Sequence, residues 1–242
     1  IAAVLMTSVQ VTGAQDEMGV DSPDASKAEN SSAERPDGDG SDSKLRGTGP
    51  DVPPVAKPVV HLIKLRTVNT EGGMIDPGLT AYVERVVEDA DAADVDALVF
   101  DIDTFGGRVD AATVIRDAIL NADLLTIAFI NKRAISAGAL ISLACDKIVM
   151  ASGGTIGAST PVSGAGEKAS DKYVSVMRAE MRGTAERTDR DAEIAEAMVD
   201  ERIYIPDFSD EVGQPATLTT QQALHYGIAD EFGGCYHLRF DD

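Results

Sequence analysis

The stretch NKRAISAGALISLACDKIVMASGGTIGASTP, Asn131 to Pro161, decides how this chain is read. A turn of small residues, Ile135-Ser136-Ala137-Gly138-Ala139, separates two apolar runs. Leu124 to Ile130 before it reads as a buried strand, and Leu140 to Cys145 after it reads as a buried helix. A serine at such a turn carries its hydroxyl at a helix N-terminus, where free backbone N–H groups can meet a developing negative charge. Ser136 is therefore a candidate nucleophile, with the Ala137 N–H beside it. The bland alternative is that the serine only starts a helix.

Working outward, strands alternate with helices. Val59 to Leu65 reads as a strand, and Pro77 or Gly78 opens a helix. That helix carries Leu79, Val83, Val86, Val87 and Ala90 on one stripe, the spacing of a helix packed on a sheet. Asp96 to Thr104 is a second strand, Val109 to Leu120 a helix, and Lys147 to Ala151 a further strand. Alternation of this kind implies an α/β fold with a mostly parallel sheet and flanking helices. Two small-residue turns then fall at the C-terminal ends of successive strands, Thr104-Phe105-Gly106-Gly107 and Ile135-Ser136-Ala137-Gly138. Ligand sites in open α/β sheets lie outside those strand ends, a reason to place Gly106 and Gly107 beside Ser136, where glycine lets the backbone approach a ligand and turn an N–H toward it. The alternative is a plain strand-to-helix turn. Thr155 to Pro161 is a tight small-residue segment, and Ser163 to Ala169 reads as a mobile loop. Asp171 begins a long helix, and Thr217 to Asp230 holds a short capped one that Gly227 stops.

The formal charge of -20 makes nucleic acid an unexpected partner. The acid is uneven, much of it lying between Asp16 and Asp51 and in the Asp189–Glu201 region. With 5% aromatic residues and no Trp, aliphatic and small side chains must build the core. Residues 1–14 read as the end of a secretory signal peptide. Residues 15–57 read as a flexible acidic linker, too poor in apolar residues to offset its ordering entropy. Residues 58–242 read as the folded domain. Cys145 is expected as a buried core thiol, with a bridge to Cys235 left open. His61, His225 and His237 have no metal-ligand spacing, so no metal and no cofactor is expected.

A serine needs a base, and no histidine is well placed. Lysine can serve where burial disfavours its ammonium form. Lys147, Lys168 and Lys172 follow Ser136, and spacing alone does not choose among them.

Three runs in order, Phe100 to Val109, Arg133 to Ile141 and Met150 to Val162, resemble the NfeD family of membrane-bound serine proteases of the ClpP class. The likeness continues through Arg190 and Ala197-Met198-Val199-Asp200 to Asp230, covering roughly 59–231. It implies a ClpP/crotonase-like fold of repeated ββα units and a Ser–Lys dyad. Ser136 falls on the family serine, and Lys172 on the family lysine, with Lys168 as the fallback. Oxyanion donors would come from Gly106 or Gly107 and from Ala137. The implied substrates are apolar peptides or membrane-protein segments, with a stomatin-like membrane protein as a partner. An extracytoplasmic, membrane-associated location and at least a homodimer follow from the same likeness. This sequence departs from the family in three places. Phe105 stands where a proline is usual, and Asp189 where a glycine is usual. Full-length relatives often continue into membrane helices and a small β-barrel, so the chain is expected to be a fragment or short form. Competing readings are an SppA-like signal peptide peptidase, which places its lysine differently, and an inactive scaffold. A crotonase-type acyl-CoA enzyme is disfavoured by the acidic composition.

Overall fold

The computed structural model describes residues 8–10, 58–67, 73–93, 95–205 and 213–233. The linker expected at 15–57 lies outside them, as does most of the segment expected to be a signal remnant. From that segment, Ser8–Gln10 forms β1, antiparallel to β2 (Val59–Arg66).

The central sheet runs β1-β2-β3-β4-β5-β8, with β3 at Ala97–Thr104, β4 at Leu125–Ile135, β5 at Lys147–Met150 and β8 at Glu231–Phe232. From β2 to β8 every pairing along this path is parallel. This is the α/β architecture with a mostly parallel sheet that the alternating apolar runs predict. α1 (Pro77–Ala92) has the helix start its sequence announces: Asp76 accepts a hydrogen bond from the Leu79 N–H at 2.9 Å, and Pro77 occupies the first turn. Its buried residues, Val83, Val86, Val87 and Ala90, pack into the main core. There they join Ile63, Leu65, Leu98, Phe100 and Ile102 of the sheet. Ile115 and Ile119 of α2 (Val109–Leu120) and Leu140, Ile141 and Leu143 of α3 (Ala137–Ala144) complete that layer. Each such side chain contributes about 1.5–3 kcal/mol by leaving water.

Three segments differ from the reading of the sequence. β4 does not stop at Ile130 but continues to Ile135, delivering its end directly to Ser136. Its pairing with β3 slips on the way: Ile102 faces Ile130, yet Thr104 faces Ala134. Asn131-Lys132-Arg133 stands opposite Asp103 alone, a surplus of two residues, and its polar side chains hide the strand from a hydropathy reading. Thr155–Gly157 is a strand, β6, parallel to β4 and antiparallel to β7 (Thr217–Thr219), where only a tight segment and a helix start are expected. The short helix proper, α6, begins at Thr220 with Thr219 as its cap. Residues 161–169 form a small exposed hairpin in place of the expected loop. Val162 bridges Lys168, and the Ser163 N–H donates to the Glu167 carbonyl at 2.7 Å. α4 (Asp171–Arg187) and α5 (Ala192–Ala197) follow. No helix among the described residues is long and apolar enough to cross a membrane.

Candidate active site

Ser136 sits between β4 and α3 with φ 56° and ψ -118°, a backbone conformation that L-residues rarely adopt. Such a residue persists only where its surroundings over-determine it. Here the Ser136 N–H donates to the Gly157 carbonyl of β6 at 2.9 Å. Its own carbonyl accepts from the Ala139 N–H at 2.9 Å and from the Ser159 hydroxyl at 3.3 Å. Gly138 lets α3 come this close: a Cβ there would lie 2.5 Å from the Thr104 methyl. The Ser136 hydroxyl is partly exposed and makes no hydrogen bond among the described residues.

The glycine turn lies against it. A Cβ on Gly106, which has φ +111°, would stand 2.6 Å from the Ser136 Cβ and 3.1 Å from its Oγ. A Cβ on Gly107 would strike the Ile75 backbone at 2.2 Å. The Ile75 N–H donates to the Gly106 carbonyl at 3.0 Å, and the Arg108 N–H donates to the Ile75 carbonyl at 2.8 Å, so the turn is clamped from its far side. Thr104, fully buried, accepts from the Gly106 N–H at 2.9 Å through its Oγ1. That bond commits Gly106. The Gly107 and Ala137 N–H groups make no hydrogen bond among the described residues. Sequence reading brought Gly106, Gly107, Ala137 and Ser136 together; the structure distinguishes the glycines, one making room and the other keeping a free donor. Thr104, Gly157 and Ser159, which hold this arrangement, were not singled out. Thr104 lies within the motif; Gly157 and Ser159 matter only through the β4–β6 pairing.

No lysine among the described residues hydrogen-bonds the Ser136 hydroxyl. Lys172 is exposed in the first turn of α4, and Lys168 is ion-paired with Glu201 on the hairpin. Neither donates to Ser136. Lys147 is exposed and pairs with Asp230 at 3.1 Å. Cys145 is a buried free thiol, its pKa pushed up by burial; Cys235 lies outside the described residues. No group of acidic, His or Cys side chains among the described residues could hold a metal ion.

Two buried polar centres brace the site. Arg190 donates to the Ile228, Cys145 and Asp146 carbonyls at 3.1, 3.0 and 3.2 Å, closing the C-terminal end of α3, and pairs with Asp230 at 3.0 Å. Asp200, only 1% exposed, is held by Arg202 at 2.8 Å and Arg178 at 3.0 Å. The Arg202 hydrogen bond, with Arg178 in support, keeps its carboxyl well below the usual range despite burial. The neighbouring Met198 and Val199 carbonyls accept from the Ser159 N–H and the Thr160 hydroxyl.

A ClpP-like α/β sheet with a strained serine at a strand-to-helix turn defines a class, and the comparisons agree with it. A ClpP1 of Listeria monocytogenes superposes with TM-score 0.51 at 20% identity, covering 67% of this chain and 88% of that one, a likeness of fold. Residues 66–233 match the family described as "NfeD1b, N-terminal domain", and the chain belongs to that family. Membrane protein NfeD1b of Bacillus subtilis is 36% identical over 156 residues, 64% of this chain and 36% of that protein. Membrane-bound protease PH1510 of Pyrococcus horikoshii is 26% identical over 186 residues, 74% of this chain and 38% of that protein. The chain thus spans little more than a third of these relatives' length. A structure described as the 1510-N membrane-bound stomatin-specific protease superposes with TM-score 0.58 at 26% identity, covering 71% of this chain and 72% of that one. It was solved as a lysine-to-alanine mutant in complex with a substrate peptide. A serine-to-alanine mutant of the same protease matches with TM-score 0.58 at 25% identity, covering 71% and 76%.

Proposed function

We propose that this domain is a serine endopeptidase with Ser136 as nucleophile and Lys172 as base. The observation that carries the reading is the unengaged Ser136 hydroxyl, held at a strained turn beside two unengaged N–H groups, those of Gly107 and Ala137. Ser136 Oγ attacks the peptide carbonyl carbon while the unprotonated Lys172 amine takes its proton. The carbonyl oxygen becomes an oxyanion and receives the Gly107 and Ala137 N–H groups. The C–N bond then breaks, Lys172 returns the proton to the leaving amine, and an acyl-enzyme remains. Water, deprotonated by the same amine, releases the acid and restores the serine. Because Lys172 is exposed in the free chain, its approach to Ser136 belongs to the substrate-bound state. Lys168, tied to Glu201, is the fallback.

The relatives' names support a stomatin-like membrane protein as substrate and a membrane-associated setting; we propose in addition that the target segment is apolar and the side extracytoplasmic. Assembly into at least a homodimer belongs to the same reading. A second reading, a peptide-binding module without hydrolysis, is favoured by one fact: neither lysine hydrogen-bonds Ser136.

Cleavage of an apolar peptide by the parent chain and by Ser136→Ala, Lys172→Ala and Lys168→Ala decides between them. Ser136→Ala and Lys172→Ala are expected to lose about 10³-fold or more in kcat, and Lys168→Ala only a few-fold. Full activity in Ser136→Ala sinks the protease. Loss in Lys168→Ala alone moves the base. An inactive but peptide-binding parent chain leaves the binding module.

A further inference from the structure

We infer that Phe105, with Arg133 behind it, is a preformed subsite that selects an apolar or aromatic substrate side chain next to the bond presented to Ser136. Calling that bond the scissile one rests on the protease reading; the selection of a side chain does not.

Phe100, earlier in β3, is fully buried, and Phe232, 50% exposed, lies on the edge strand β8, whereas Phe105 is 63% exposed. It is nevertheless fixed. Its backbone lies between Thr104 and Gly106, which are joined to each other through the Thr104 Oγ1, and Gly106 is in turn clamped to Ile75. The residue that follows it, Gly106, is in van der Waals reach of Ser136. The ring therefore stands within one residue of the surface that meets the nucleophile.

One face of the ring is already occupied. The Arg133 guanidinium lies 4.7 Å from its centroid, within cation–π range. Arg133 belongs to the three-residue stretch of β4 that faces Asp103 alone, where the register between β3 and β4 slips. Its Nε lies 2.9 Å from the Asp103 Oδ1, which balances its charge. Arg133 thus acts as a backing plate: it holds the ring's orientation while Asp103 leaves it little net charge to attract an acid. What remains open is apolar surface, suited to a hydrophobic side chain stacking on the ring or meeting it edge to face. A charged side chain would lose water there without gaining a partner.

The test uses fluorescein-labelled peptides of Ala, Val and Leu carrying Phe, Gly or Lys at each central position in turn. Binding is read by anisotropy in the full chain with Ser136→Ala, so that no hydrolysis is needed. At one position Phe is expected to bind roughly 10- to 100-fold more tightly than Gly or Lys. In Ser136→Ala/Phe105→Ala that preference should fall to about 3-fold or less, while Phe105→Leu keeps most of it. Arg133→Met, which removes the backing charge but keeps an apolar stem, should retain part of it. Parallel kcat/KM values with unmutated Ser136 should show the same ratio wherever cleavage occurs. No Phe-over-Gly preference at any position, or a preference that survives Phe105→Ala, overturns the subsite. Cleavage that persists in Ser136→Ala overturns the catalytic reading and leaves the binding result to stand by itself.

Discussion

At the scale of the residue, the site depends on backbone angles that most side chains resist. Ser136 at φ 56° stores about 1–3 kcal/mol of strain, released if its bonds to Gly157 and Ser159 fail. Gly106 is the residue on which the turn has least latitude. Gly106→Ala adds a Cβ 2.6 Å from the Ser136 Cβ at a φ of +111°, so we expect at least a 100-fold loss of cleavage and about 1–3 kcal/mol of stability. Peptide assays and thermal melts measure both; an active, stable Gly106→Ala would mean that the turn yields. Asp189 offers the opposite experiment. It takes φ 57°, a conformation that glycine adopts without strain. Asp189→Gly should raise stability by up to about 1 kcal/mol, with the flexibility of glycine offsetting part of the gain. A denaturant midpoint that moves downward would show that the Asp189 side chain contributes more than its backbone strain removes.

At the scale of the element, residues far from Ser136 set its position. Arg190 ties the end of α3 to Ile228 and Asp230. Arg190→Met leaves the Ile228, Cys145 and Asp146 carbonyls without this donor, while Asp230 keeps Lys147 and the Ile148 N–H. A denaturant titration should show a loss of about 1–3 kcal/mol for each buried carbonyl left unsatisfied. Asp200 gives a pH signature. Its folded pKa is depressed, first by the Arg202 hydrogen bond. Its stabilisation is therefore fully present above the unfolded value of about 3.9, and lost as pH falls below it toward the folded value. Asp200→Asn should lower stability at pH 7 by about 1–3 kcal/mol, with the gap to the parent chain closing below about pH 4. A gap that stays constant to pH 3 would place the stabilisation in packing and not in charge. The same scale explains what the sequence reveals. α1, α2, β2 and β3 are legible because an apolar stripe or run marks each. β6 and β7 have three residues apiece, too few for any period, and exist because each offers the other an edge. The last five residues of β4 contain Asn131-Lys132-Arg133, whose polarity ends the apolar run although strand pairing resumes at Arg133 with Thr155 of β6.

At the scale of the molecule, topology rather than any single motif made the candidate site legible. Two turns at the ends of adjacent parallel strands meet, so the strand–helix pattern sets Gly106 and Gly107 beside Ser136. The same pattern does not choose a base: the buried stripe of Val174, Met177, Met181 and Ala185 marks α4 as a helix but says nothing of which lysine would face Ser136. Net charge acts at this scale too. A formal charge of -20 on 242 residues surrounds the chain with negative potential. It should hasten the arrival of basic peptides and slow acidic ones without altering chemistry at Ser136. For an apolar peptide flanked by lysines, kcat/KM should fall by roughly 10-fold between about 20 and 200 mM salt, where screening shortens the reach of the field. The same peptide flanked by glutamates should gain over that range, and the two should converge while kcat stays level. Equal salt responses would mean that the acidic residues are too far from the path to Ser136 to steer what reaches it, and that Phe105 and its neighbours meet every peptide on the same terms.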